Sequence, residues 1–462
     1  MRIELRTVRK TLKNTSAGIL QNPSAVAGLL MLAYLLSFLD RQILVLMIEP
    51  IQRDLNISDT QFSLLHGTSF AFFYAIAGLY MGKLVDNHNR VKIISISIFL
   101  WSIATAVCGL SRTFYQLFIA RMFVGVGEAG LSPGTYSLLS DLFKPEHRAK
   151  AFSIYAMGIY LGSGLAFMFG GHLIAALEAM PSLSLPGLGP VYSWQMVLMI
   201  VGLPGVLLAL IIYRCVEEPV RGAQEVHADK APLVDVSNEA PATFGDFFKH
   251  YRKEWRTYLG HNTGFGLHMM FSYSFMAWLP ALFMRIHGWT IAEVGYALGF
   301  LILVCGPAGA MAGGYLSEWL LRKGVSDSQL RVCSLGSLTY AGFGVLAAGT
   351  ASPAIALIAA GACFFFMGFP GGLNSCSLQT ITPPRLRGQA TAVFLLFGNI
   401  LGLALGPLFV ALLTDYVFAD KNQVHNSLQI FAVVCLPLSA LLLWRVKGAF
   451  SISLHEDSQA AT

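Results

Sequence analysis

Twelve long apolar stretches follow one another along this chain, at residues 25–49, 61–83, 92–110, 114–138, 150–176, 194–214, 257–284, 292–317, 329–349, 353–377, 387–415 and 427–445. Each matches the roughly 20 residues that a helix needs to cross the hydrocarbon of a bilayer. Within hydrocarbon every backbone N–H and C=O must be satisfied internally, and a helix does this within its own segment. The expected fold is therefore an all-α membrane protein with twelve transmembrane helices. Composition agrees: 55% of residues are apolar and only 12% are charged, against about 25% charged in soluble domains.

The basic residues supply an independent check on that count. With the N-terminus placed in the cytoplasm, the inside segments hold 25 of the 31 Lys and Arg residues and the outside segments hold only Arg53, Arg112, Arg285 and Lys421. Positive charge is retained on the inside of membrane proteins, so the asymmetry predicts a multi-pass protein of the cell (inner) membrane with both termini cytoplasmic. The formal charge of +6 follows from topology, and no basic face remains for nucleic acid. The basic start lacks a small-residue cleavage site after a short apolar core and reads as a cytoplasmic tail. Seven scattered cysteines without a CxxC spacing indicate neither a disulfide framework nor a metal site.

The longest polar interruption, 215–256, divides the chain six spans plus six. The expected organisation is a tail at 1–24, six-helix bundles at 25–214 and 257–446, a linker at 215–256 and a tail at 447–462. FGDFFKHYRKEW, which closes the linker, has the pattern of a short amphipathic helix on the cytoplasmic surface. The halves also echo one another. GKLVDNHNR carries Gly82, Asp86 and Arg90, while GYLSEWLLR carries Gly314, Glu318 and Arg322 at an offset of 232 residues. A second echo pairs HRAKA, with Arg148, and LRGQA, with Arg387. Two echoes at equivalent places argue for parallel repeats, as in the major facilitator fold, whose two halves are related by a pseudo-two-fold axis along the membrane normal and enclose a midplane site. Small residues let helices approach, and end charges can latch one conformation. These eight residues are therefore expected to act as a conformational latch, set against a purely topological role for their charges.

RMFVGVGEAGLSPGTYSLLSDLFKPEHRAKAFSIYAMGIYLGSG, together with SFLDRQILVL and the HNR after span two, resembles the Spinster-like branch of the major facilitator superfamily over nearly the whole membrane part. The LDR triplet at 39–41 and the R-x-x-x-G-x-G-E-A stretch from Arg121 carry the likeness; the second is also similar to anion:cation symporters. The resemblance implies transport of lysolipids or sphingoid phosphates, and a central cavity lined by spans one and four. Asn87 stands where the family's loop carries Arg, which implies a weaker or differently paired contact around Asp86.

The most costly residues lie inside the spans. Asp40 and Arg41 sit in span one, and span four places Arg121, Gly125, Glu128 and Ser132 at spacings of four, three and four, on one helix face. A charge at the bilayer centre costs roughly 2.5–3.5 kcal/mol on insertion scales, so intramembrane charges pair and mark function. Asp40 and Glu128 are the expected proton-coupling acids, with Arg41 and Arg121 as charge partners or binders of a substrate anion. The competing reading is a permanent structural network.

The second half has no comparable acid. His268, Asn374 and Asn399, with Ser132 of the first half, are candidate cavity-lining groups, although a lone buried His is more often a packing residue. His261, His268 and Ser272 share a helix face. Most of the Phe and Met residues, including those of FAFFY and FFFM, read as lipid-facing filler, and Gly306–Pro307 and Gly406–Pro407 as softening points. No G-x-x-x-x-G-K-[ST] stretch is present, so no nucleotide-driven pump and no cofactor is expected. No nucleophile–base constellation points to an enzyme. The expected function is a monomeric, proton-coupled secondary active transporter working by alternating access on an amphipathic anionic lipid. A small organic anion is the alternative cargo, and a non-transporting receptor the alternative class.

Overall fold

A computed structural model describes residues 22–180, 183–185, 189–221, 244–383 and 386–460. The first half contains α1 (Pro23–Leu46), α2 (Ile48–Leu55), α3 (Asp59–Asn87), α4 (Arg90–Cys108), α5 (Phe114–Glu128), α6 (Leu131–Leu142), α7 (Pro145–Glu178) and α8 (Ser193–Cys215). A two-stranded antiparallel hairpin, β1 (Leu183–Leu185) and β2 (Gly189–Val191), separates α7 from α8. The second half contains α9 (Phe244–Lys253), α10 (Trp255–His287), α11 (Ile291–Arg322), α12 (Ser328–Gly349), α13 (Pro353–Gly368), α14 (Leu373–Thr380), α15 (Arg387–Phe397), α16 (Gly406–Leu412) and α17 (Val424–Ala460).

Eleven helical stretches among the described residues are long and apolar enough to cross a membrane. The twelfth span is the pair α5 and α6, and the expected continuous helix over 114–138 is corrected to one interrupted at Ala129–Gly130. Pro133 lacks the N–H that would bond back to residue 129. The tenth span breaks in the same way between α13 and α14, across Phe369, Pro370, Gly371 and Gly372. Gly130 and Phe369 are 239 residues apart, the same offset as Arg148 and Arg387. The repeat therefore includes a helix break that hydropathy cannot register. Wide π-type turns occupy Leu64–Thr68 in α3 and Gly398–Leu405 before α16. Pro407, in the first turn of α16, marks where the second of these ends.

Local chemistry sets the helix starts. Ser58 and Gln61 form a reciprocal capping box at the start of α3, and Thr290 with Glu293 does so at α11. Asn89 caps α4 by accepting from the Lys92 N–H. Gly288 ends α10 in the left-handed region at φ 69°, where a residue without Cβ is unstrained. The amphipathic helix expected at the end of the linker is α9, whereas linker residues 222–243 lie outside the described residues.

The chain divides into two compact units. The first draws on Met1–Leu44, Phe72–Ala166 and Ala176–Asp235; the second takes Val45–Ala71 and Phe167–Ala175 together with Val236–Thr462. In the first unit α4 packs on α5 and α8 so closely that a Cβ at Gly127 would lie 2.7 Å from the Trp101 nitrogen, and one at Gly202 would lie 2.6 Å from the Ser102 carbonyl oxygen. A Cβ at Gly82 or Gly314 would meet nothing within 4 Å, so neither of these repeated glycines marks a close helix approach. Gly127→Ala is thus expected to cost about 1–3 kcal/mol through overpacking, seen as a lower melting temperature in detergent. Gly82→Ala and Gly314→Ala should leave that temperature unchanged or raise it.

Candidate functional site

Helix α1 sets the geometry of the buried charges. Ser37 and Arg41 are one turn apart and share a face, and both reach Glu128 at the end of α5. Arg41 Nε donates to Glu128 Oε2 at 2.8 Å, Nη2 donates to the same oxygen, and the Ser37 hydroxyl donates to it at 2.5 Å. Asp40, one residue earlier than Arg41, turns to a different neighbour and accepts from the Thr105 hydroxyl of α4 through Oδ2. The charges of Arg121, Glu128 and Arg41 all act on Asp40. Asp40, Arg121 and Glu128 are 3%, 1% and 1% exposed, while the Arg41 side chain retains 12%.

The four expected charges therefore form one cluster, and its pairing crosses between helices. Asp40 and Arg41 do not neutralise one another as sequence neighbours. Arg41 is bound by the acid of α5, and Asp40 lies in the field of the base of α5. Aromatic rings complete the surroundings: the Arg41 guanidinium stands 4.9 Å from the Phe38 ring centre and 5.2 Å from that of Tyr74. Tyr34 stacks on Tyr155 at 4.3 Å with a 10° interplanar angle. Ser132 lies beyond the break in span four, where its hydroxyl meets the Tyr155 hydroxyl at 3.0 Å. A fixed cation with aromatic walls can hold an anion, and two buried carboxyls whose cations can be drawn away can take up protons.

The expected latch residues are distributed differently. Asp86 is exposed and makes no ion pair among the described residues. Arg90 is buried and bonds to Asp141 of α6, to Glu218 at 2.7 Å and to the Pro219 carbonyl. Glu218 also accepts from the Val91 N–H, and Arg221 donates to the carbonyls of Val85 and His88, so the segment after α8 straps the α3–α4 turn. The counterpart pair, Glu318 and Arg322, is an exposed bridge within α11. Arg148 Nε donates to the carbonyls of Ser140 and Phe143, and Arg387 Nε to those of Gln379 and Thr382. Both arginines thus reach the carbonyls eight and five residues upstream, so they clamp the chain that follows α6 and α14 in the same way.

The other candidates lie within the second unit. His268 Nδ1 meets Ser337 Oγ at 2.9 Å and its ring lies against Tyr340. The Ser337 hydroxyl also lies within bonding distance of the Cys333 carbonyl, so His268 is a packed, bonded group. His261 bonds to Ser377, Asn374 accepts from the Ser375 N–H, and Asn399 donates to Leu395 within its own helix.

Sequence reasoning missed Arg285, which it counted only as an outside residue. Within the second unit Arg285 binds Asp59 through both oxygens at 2.7 and 2.8 Å, Glu49 at 2.6 Å, Gln52 at 3.2 Å and the Lys421 carbonyl at 3.2 Å. All five guanidinium N–H groups are thereby used. Thr60 N–H to Asp415, Ser63 hydroxyl to the Pro407 carbonyl and Thr68 hydroxyl to the Ala404 carbonyl continue the same seam along α3. Glu49 and Asp59, on either side of the turn between the first two spans, were the available signal.

With this geometry in place, comparisons with known proteins give the family. The chain belongs to the Major Facilitator Superfamily, whose family model matches residues 30–407. It is a Spinster-like member. A crystal structure of a bacterial homolog to the human lysosomal transporter Spinster, inward-facing and unoccupied, is 25% identical, with a TM-score of 0.75 and coverage of 94% of this chain and 97% of that one. An MFS-type efflux pump of Mycolicibacterium smegmatis is 23% identical over 94% of this chain and 95% of its own length. A hexuronate transporter of Bacillus subtilis is 24% identical over 87% and 91% respectively. The protein is a multi-pass membrane transporter and not an enzyme.

Removing one partner of a buried ion pair strands the other, which costs about 3–5 kcal/mol. Glu128→Ala is accordingly expected to lower the melting temperature sharply in detergent. Replacing both partners, as Arg41→Met with Glu128→Met, should recover most of that loss.

Proposed function

We propose that the protein is a proton-coupled secondary active transporter of an amphipathic anion, such as a lysophospholipid or sphingoid phosphate. It works by alternating access as a monomer in the cell inner membrane, with both termini in the cytoplasm. The observation that carries the reading is the bridge from Arg41 to Glu128 inside an aromatic surround. Arg41 stays charged at every attainable pH. A cargo anion that takes the guanidinium leaves Glu128 buried without its cation, and protonation removes that cost. Asp40, set between Thr105 and the field of Arg121, is the second proton acceptor. Cargo and proton then favour one another through Arg41, and the coupling is reciprocal.

The apolar walls around Arg41 favour an amphipathic cargo, as does the likeness to the Spinster homolog. The hexuronate transporter among the relatives supports the second reading, a small organic anion clamped by Arg41 and Arg121. For access to alternate, residues 45–71 must part from the second half, which assigns the Arg285 seam as the closing contact of one face. The Arg90 strap and the Arg148 and Arg387 clamps hold the ends of their helices rigid during that movement.

In proteoliposomes with an internal pH dye, the correct cargo should drive proton movement in the wild type. Asp40→Asn and Glu128→Gln should each reduce gradient-driven uptake by at least about a hundredfold, the low end for loss of a positioned proton-transfer group, while the fold survives. Full gradient-driven rates in both variants would overturn the coupling role. Competition by soluble organic anions but not by lysolipids would select the second cargo class.

A further inference from the structure

The end of the second unit where α9 meets α10 presents two opposed chemistries on one short helix. The inner face of α9 is an aromatic wedge. Phe247 is fully buried in a cluster with Tyr258, Ile381, Leu386, Phe394 and Val446, and Tyr251 stacks on Tyr258 at 5.1 Å. The outer face carries Lys249, Arg252, Lys253 and Arg256, all exposed, together with Phe248 at 60% and Trp255 at 49% exposure. Glu254 is the one acid between Phe247 and Arg256. The Arg256 guanidinium stands 5.6 Å from the Trp255 ring centre. The neighbouring helix ends repeat the pattern, with Lys323 3.7 Å from Trp319 and Lys447 3.3 Å from Trp444.

We propose that the outer face of α9 and Trp255–Arg256 is a binding surface for anionic phospholipid headgroups of the adjoining leaflet. Charge complementarity and the exposed aromatics both point to this occupant. Four cations with interleaved large rings match a plane where phosphates meet acyl chains, and basic amphipathic helices bind such surfaces by both terms. A soluble partner would pay to desolvate the cations and would leave Phe248 and Trp255 without an apolar phase. The surface has a structural consequence, because the inner face of α9 packs on α10 and α15 and shares one apolar cluster with Ile381 and Val446. Lipid bound outside therefore bears, through the wedge, on the end of span ten and the start of span eleven.

The test uses the full chain in phosphatidylcholine vesicles, with brominated acyl chains as quenchers of tryptophan emission. The Trp255 signal is the difference between wild type and Trp255→Phe. Brominated phosphatidylglycerol is expected to quench it more strongly than brominated phosphatidylcholine. The preference should fall roughly fivefold per cation removed, the fold-change given by about 1 kcal/mol each. The variant Lys249→Gln, Arg252→Gln, Lys253→Gln and Arg256→Gln should abolish it, with Lys249→Gln alone as the milder form if the fourfold variant fails to insert. Equal quenching by the two lipids in the wild type, or an undiminished preference in the variants, would overturn the proposal. Loss of the preference on adding inorganic phosphate, at an ionic strength matched with chloride, would assign the surface to a soluble anion instead.

Discussion

The cost of holding charge away from water organises the first unit. Arg41 and Glu128 lie where neither is well hydrated, and each is tolerable only because the other and Ser37 are present. That requirement fixes the rotation of α1 about its axis. Once Ser37 and Arg41 face α5, Asp40 must face α4 and find Thr105. The close packing of α4 against α5 at Gly127, one residue before Glu128, then sets how far the carboxylate projects. The helix ends immediately after it, so Ser132 and the rest of span four follow a separate course.

The Arg41 bridge is satisfied through a single carboxylate oxygen, next to aromatic faces that also favour a cation. Elsewhere arginines tie helix ends firmly to the chain beside them. Arg90 ties α4, α6 and the segment after α8 into one joint, and Arg148 and Arg387 seal the same turn in the two halves. The π-type turns in α3 and ahead of α16 contrast with these ties. Irregular helical turns are frequent at functional sites, and these two lie on the seam that Arg285 closes.

The charged ends of the second unit show that one residue type can serve several purposes. Arg322 bridges within its own helix, Arg387 caps a chain turn, and Arg256 lies against an exposed tryptophan. Positive charge at these helix ends does not by itself require those placements. Gly82 and Gly314, alike in the repeat, both face open space, and of the acids beside them Asp86 makes no ion pair among the described residues and Glu318 only one within its own helix. The Arg148 and Arg387 echo thus preserves a contact, whereas the Gly82 and Gly314 echo preserves only a backbone position.

Twelve spans, two halves, the family and the membership of the buried cluster were legible in the amino-acid sequence, because hydropathy, charge asymmetry and the cost of intramembrane charge act on each segment separately. The amphipathic α9 was legible for the same reason. The break after Glu128 was foreshadowed only by Pro133, and Thr105 not at all, since a threonine in an apolar span gives no sign of its partner. That Arg41 bonds across to Glu128, that Arg90 pairs with Asp141 and Glu218 rather than Asp86, and that Arg285 gathers Glu49 and Asp59 were decided only by the tertiary structure. Each of these pairs joins residues that are distant along the chain, and which pair forms depends on the rotation and spacing of whole helices. Periodicity places a side chain on a face of its own helix; packing determines what that face meets.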